Sequence, residues 1–148
     1  KAIFAAHRPA GKAETLAVIR AMAAQCFRGV QIIPAPTVRE ADGLAMSSRN
    51  RFIPAEKRSR AAAISTALCE ASNPANDTPQ KAEAAMRRTL IEAGFAEADI
   101  QYAVVRDAET LTAPTPGKPC RALIAAELAP VRLIDNAPWT WPQRSLRP

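Results

Sequence analysis

The sequence predicts an α/β to α+β chain: the tail of a parallel α/β domain, followed by a smaller domain of helices on a short antiparallel sheet. Three observations predict it. A strand-like run, a helical run and a second strand-like run fill Lys1 to Pro36. Helical stripes come next, and strand-like runs with no helix between them close the chain.

"KAIF" at Lys1–Phe4 reads as the end of a buried strand. In "KAETLAVIRAMAAQC", Leu16, Ile19, Met22, Ala23 and Cys26 recur at helical spacing, and Gly29 marks the stop. "VQIIPAP" is a second short buried strand, closed by Pro34 and Pro36. Strand, helix, strand is the minimal parallel crossover, which needs further strands to bury both faces of its sheet. Residues 1–43 are therefore expected to be the C-terminal part of an incomplete α/β domain whose beginning lies ahead of Lys1.

Pro54 suits the first turn of a helix running to about Ala71, with Ala61, Ile64, Ala67, Leu68 and Ala71 on one face. Lys57, Arg58 and Arg60 fall at the wrong end of that helix for its dipole, which is unfavourable unless an anion lies nearby. They are read as a solvated face. "SNPANDT" is a loop in which Thr78 caps the next helix and Pro79 opens it. Ala82, Ala85, Met86, Thr89, Leu90 and Ala93 form its stripe, and Gly94 ends it. "DIQYAVVRD" alternates, "CRALIAAEL" is a buried run, and "VRLIDN" follows after Ala129 and Pro130, a link short enough to favour an antiparallel meander. Residues 44–136 form the expected α+β domain, and 137–148 an irregular, proline-rich tail.

Composition narrows the function. The chain is 48% hydrophobic and 23% charged, with no run near the ~20 apolar residues of a membrane span. No apolar core of signal-peptide length follows Lys1, so the cytoplasm is the expected location. Cys26, Cys69 and Cys120 are far apart and lack C-x-x-C spacing, which argues against zinc or a disulfide framework and for small core residues. His7 is the only histidine, which rules out a histidine-based metal cluster. A net charge of +6 and a pI near 9.8 favour anions. The cations at Arg39, Arg49, Arg51, Lys57, Arg58, Arg60, Arg87 and Arg88 are scattered, however, and only 5% of residues are aromatic, so platforms for nucleic-acid bases are scarce.

The segment "EADGLAMSSRNR" at Glu40–Arg51 is too polar for a core strand and too glycine-interrupted for a stable helix. Ser47, Ser48, Arg49, Asn50 and Arg51 place a dense set of hydrogen-bond donors in one loop, which suits a polyanion. Arg39 and Arg51 either focus the field on that loop or face water. Asp107 with Glu109, and Asp135 with Asn136, are read as turn and strand-end residues that satisfy local backbone donors, not as acid–base pairs.

"PTVREADGLAMSSRNR" at Pro36–Arg51, "RDAETL" at Arg106–Leu111 and "RLIDN" at Arg132–Asn136 resemble, in order and spacing, the C-terminal half of the pantothenate synthetases, the pantoate–β-alanine ligases. The resemblance covers about Val18 to Trp139. It implies a Rossmann-like nucleotide-binding domain followed by a lid, forming a homodimer. It implies activation of pantoate with ATP and Mg2+ to pantoyl adenylate, from which the amine of β-alanine displaces AMP. By the same resemblance Met46, Ser47, Ser48 and Arg49 bind ATP, and Val38 touches the adenosine portion. The family's histidine-containing nucleotide signature has no counterpart here. Where the family carries a lysine, an aspartate and then a glutamine for pantoate, this chain has Gly11, Lys12 and Thr15, which leaves Lys12 as a possible phosphate contact. Three readings stand at this point: the ATP-binding portion of such a ligase, an inactive remnant or truncated form of one, and a basic nucleic-acid-binding module.

Overall fold

The computed structural model describes the chain over residues 3–6, 13–27 and 29–141, and the expected order of elements is present there. Strand β1 (Ile3–Ala6) pairs in parallel with β2 (Gln31–Pro34), in register from Ile3↔Gln31 to Ala6↔Pro34. Helix α1 (Ala13–Cys26) makes the crossover between them. Its anticipated apolar stripe is largely uncovered: Ala23 is buried, Leu16 and Ile19 are half-buried, and Met22 and Cys26 are exposed. Val18, Phe27 and Ile33 are exposed as well, because the two described strands put no second layer against this surface. His7, Gly11 and Lys12 lie outside the described residues.

Helix α2 (Arg58–Ala71) starts later than Pro54. Pro54 has extended backbone and precedes a single 3-10 turn at Ala55–Lys57, closed by Lys57 N–H donating to Pro54 O at 2.9 Å. From there the buried residues are Ala61, Ile64, Ala67, Leu68 and Ala71, the face anticipated from spacing. Cys69 falls off that stripe and is exposed, so of the three thiols only Cys120 is a core residue; burial pushes its pKa up.

Helix α3 (Pro79–Glu92) opens as read: Thr78 Oγ1 accepts Lys81 N–H at 3.3 Å, and Pro79 is the first residue. It closes at Gly94, whose φ of +94° is glycine's territory. A side chain there would also meet Arg60, since a Cβ would lie 3.2 Å from its guanidinium. Arg60 is therefore folded over the helix end instead of standing in solvent.

Strands β3 (Ile100–Asp107), β4 (Cys120–Leu128) and β5 (Val131–Trp139) form an antiparallel sheet in that order. Helices α2 and α3 pack on one face, where Ile64, Leu68, Met86 and Leu90 meet Val105, Ile124, Leu133 and Trp139. β5 continues three residues past the Asn136 boundary drawn from sequence. Trp139 is 2% exposed, and its Nε1 donates to Ala71 O at 2.8 Å; Trp141 packs edge-on against it at 5.3 Å. Burial of the indole makes residues 137–139 strand, and Pro138 is tolerated because β5 is an edge.

The edge strands are capped by side chains and loops. On β3, Glu83 Oε1 of α3 accepts Val105 N–H at 2.8 Å, and Asp107 N–H donates to Thr112 O at 3.1 Å. On β5, Asn136 N–H is taken by the carboxylate of Asp135 at 2.7 Å.

Candidate functional site

The donor-rich segment is neither helix nor core strand; it is a tight hairpin and the short turn that leaves it. Arg39 and Ala45 bridge in antiparallel fashion. Glu40 N–H donates to Leu44 O at 2.8 Å and Met46 N–H to Val38 O at 2.9 Å. The reversal needs Gly43, with φ +85° and a Cβ position 3.2 Å from Ser65 Oγ, and it is closed by Asp42 Oδ1 accepting Leu44 N–H at 3.1 Å.

Side chains fasten the hairpin to the helix–sheet body. Arg58 reaches both Glu40 and Asp42, and the resulting hydrogen bonds raise its own pKa. Asn50 and Arg58 hold the Glu40 carboxyl below its usual range, and Arg58 with Leu44 N–H does the same for Asp42. Asn50 is buried, and its amide donates to Glu40 Oε1 and to Ala45 O at 3.0 Å. Arg39 forks onto Asp135 at 2.6 and 3.3 Å and donates to Gly43 O at 3.0 Å.

Arg39, Glu40 and Asp42 are bonded across the expected boundary at residue 43, to β5 and α2. One expectation changes. Arg58 is not part of a solvated face: the anion that its helix position calls for is the chain's own carboxylate pair. Lys57 donates to Ala129 O at 2.9 Å.

Beyond the fastened part, Ser47 is extended and its Oγ accepts Arg49 N–H at 3.2 Å, capping a 3-10 turn at Ser48–Phe52. Ser48 and Arg49 are exposed, and Val38 and Met46 are about half exposed. Val38, Met46, Ser47, Ser48 and Arg49 thus form one continuous strip, the first two as hairpin partners and the rest next in the chain. Arg51 instead stacks over the Phe52 ring, 4.7 Å from its centroid.

The acidic residues divide. Asp107 Oδ1 accepts the Glu109 and Thr110 N–H groups at 2.9 Å each, which lower its pKa, as the turn reading anticipates. Asp135 does accept Asn136 N–H, but its ion pair with Arg39 joins residues 96 positions apart, for which the sequence carries no local signal. Asn136 Oδ1 accepts two bonds from Arg121, at 2.6 and 2.9 Å; burial lowers the pKa of that guanidinium. Among the described residues, no group of three His, Cys, Asp or Glu side chains gathers to hold a metal.

Comparison with known proteins gives a consistent result. The pantoate-beta-alanine ligase family model matches residues 11–138. The chain is 42% identical over 125 residues to the pantothenate synthetase of Paracoccus denitrificans, covering 83% of this chain and 44% of the relative. It is 44% identical over 128 residues to that of Rubrobacter xylanophilus, covering 84% and 44%. The chain spans less than half the length of these relatives. A crystal structure of pantothenate synthetase from Thermus thermophilus aligns with a TM-score of 0.74 at 28% identity, over 91% of this chain and 48% of that one.

Proposed function

The chain belongs to the pantoate–β-alanine ligase family, and from that premise we propose that it is the ATP-binding C-terminal portion of a cytoplasmic pantothenate synthetase. Such an enzyme condenses pantoate with β-alanine through pantoyl adenylate. The β1–α1–β2 crossover is read as the end of a Rossmann-like nucleotide-binding domain, and the chain from the hairpin through Trp139 as its lid. Among the described residues no helix is long and apolar enough to cross a membrane.

The observation that carries the proposal is the strip of Val38, Met46, Ser47, Ser48 and Arg49 on a hairpin anchored from behind. Ser47, Ser48 and Arg49 hold the phosphates, and their hydroxyls and guanidinium neutralise charge as it builds on the leaving pyrophosphate. Val38 and Met46 offer apolar surface to the adenosine. Lys12 is a further proposed phosphate contact. The carboxylates beside the strip do not fit a metal site: Glu40 is engaged by Asn50 and Arg58, and Asp42 by Leu44 N–H and Arg58. Mg2+ would instead arrive with the triphosphate and screen its charge.

Donors that reach the β- and γ-phosphates should distinguish ATP from AMP. Calorimetric titration is expected to show ATP with magnesium binding about tenfold or more tightly than AMP, one charge-assisted contact's worth. Equal affinities would remove the phosphates from the strip. Adenylate formation needs donors on both sides of the α-phosphate, and this strip is one bank of them. An assay of the chain with pantoate, β-alanine, ATP and magnesium is expected to show no AMP release above background; robust turnover would overturn that half of the proposal.

A homodimer is also proposed, built on the exposed apolar residues Val18, Met22, Phe27 and Ile33. Light scattering across a concentration series should report a dimer, and the Val18→Glu, Met22→Glu double variant a monomer. A native chain that stays monomeric throughout would refute it.

A further inference from the structure

We propose that Asp135, acting through Arg39, is a positioning residue for the phosphate-binding strip: the buried carboxylate on β5 fixes where Ser47, Ser48 and Arg49 stand. The inference rests on the reading of that strip given above and adds a residue that touches no ligand.

The Asp135 side chain is 3% exposed and that of Arg39 30%. A carboxylate so buried is tolerated only with a close, well-satisfied partner, and here both oxygens are engaged. Oδ2 takes Arg39 Nη1 at 2.6 Å, while Oδ1 takes Arg39 Nη2 at 3.3 Å and Asn136 N–H at 2.7 Å. The guanidinium is thereby tied to β5, and its Nη1 also donates to Gly43 O, the carbonyl at the hairpin tip, at 3.0 Å. One planar group therefore spans from the sheet to the turn. Leu44 and Ala45 are buried and the arms share the Glu40–Leu44, Gly43–Glu40 and Met46–Val38 bonds, but among the described residues the Arg39–Asp135 pair is the ion pair that joins the hairpin to the sheet. The second tether, Arg58 to Glu40 and Asp42, joins groups about one-third exposed and is correspondingly screened. The strip leaves the hairpin directly at Met46, so a tilt of the hairpin moves the hydroxyls and Arg49 with it.

The test is a double-variant cycle read by titration with ATP and magnesium, with thermal melts alongside. Asp135→Asn keeps the volume and removes the charge. It is expected to weaken binding about tenfold in the native background, the scale of a displacement of an ångström or less, and by about threefold or less in an Arg49→Ala background, where the charged group among the three being positioned is gone and only the two serines remain. The thermal midpoint should fall equally in both. Equal losses of affinity in the two backgrounds, or no loss in the native one, would overturn the proposal. If Arg49→Ala alone leaves binding unchanged, the reading of the strip itself fails and the positioning role falls with it, an outcome that this arm identifies separately. Should Asp135→Asn fail to fold, Arg39→Lys, which keeps the charge but loses the fork, carries the same cycle and the same criteria.

Discussion

Replacing Trp139 with alanine is expected to destabilise the chain by about 3 to 5 kcal/mol, the range for removing a buried large aromatic side chain. The indole is 2% exposed, sits in the core with Ile64 and Leu68, and joins β5 to the end of α2 through its bond to Ala71 O. Trp139→Phe separates the two contributions: it keeps most of the apolar volume but leaves the Ala71 carbonyl without its donor, for an expected loss of about 1 to 3 kcal/mol. Urea unfolding followed by circular dichroism measures both. An alanine variant as stable as the native chain would mean that the ordered sheet ends at Asn136 after all.

Arg49→Ala is expected to weaken binding of ATP with magnesium by about 1.5 to 3 kcal/mol, the scale of a hydrogen bond to a charged group. The substitution is a clean one. Arg49 is exposed, and the bond it contributes to the fold comes from its backbone N–H to Ser47 Oγ, which alanine retains. The thermal midpoint should therefore stay in place while affinity falls. The difference should also shrink as salt is raised, because the contact is ionic and solvent-facing. A variant that binds as tightly as the native chain would remove Arg49 from the strip.

Much of the second half of the fold is legible in the sequence because its signals are local. Thr78, Pro79 and Gly94 punctuate α3 through bonds to residues one turn away. β4 and β5 are nearly continuous apolar runs joined by Ala129 and Pro130, a connection too short for anything but antiparallel pairing. The buried stripe of α2 follows from its period, but its start does not: whether Pro54 opens a helix or a separate 3-10 turn depends on where Lys57 and Arg58 find partners, and these lie on β5's entry turn and on the hairpin. The hairpin itself is masked by its polarity. Donor density marks Ser47, Ser48 and Arg49, yet the Arg39–Asp135 pair that anchors them spans nearly the whole domain in sequence and could not be read from either end. The α1 stripe shows the converse limit, since periodicity states which face is apolar and not whether the chain supplies something to cover it.

The capped margins of the three-stranded sheet bear on how copies of this chain can meet. Glu83 occupies the outward amide of Val105, Thr112 that of Asp107 and Asp135 that of Asn136, while Pro138 has none to offer. Strand-by-strand growth at these positions would first require α3 to lift and withdraw Glu83, the loop at Thr112 to open, or the Asp135 carboxylate to turn from Asn136 N–H, so local melting must precede an added strand there.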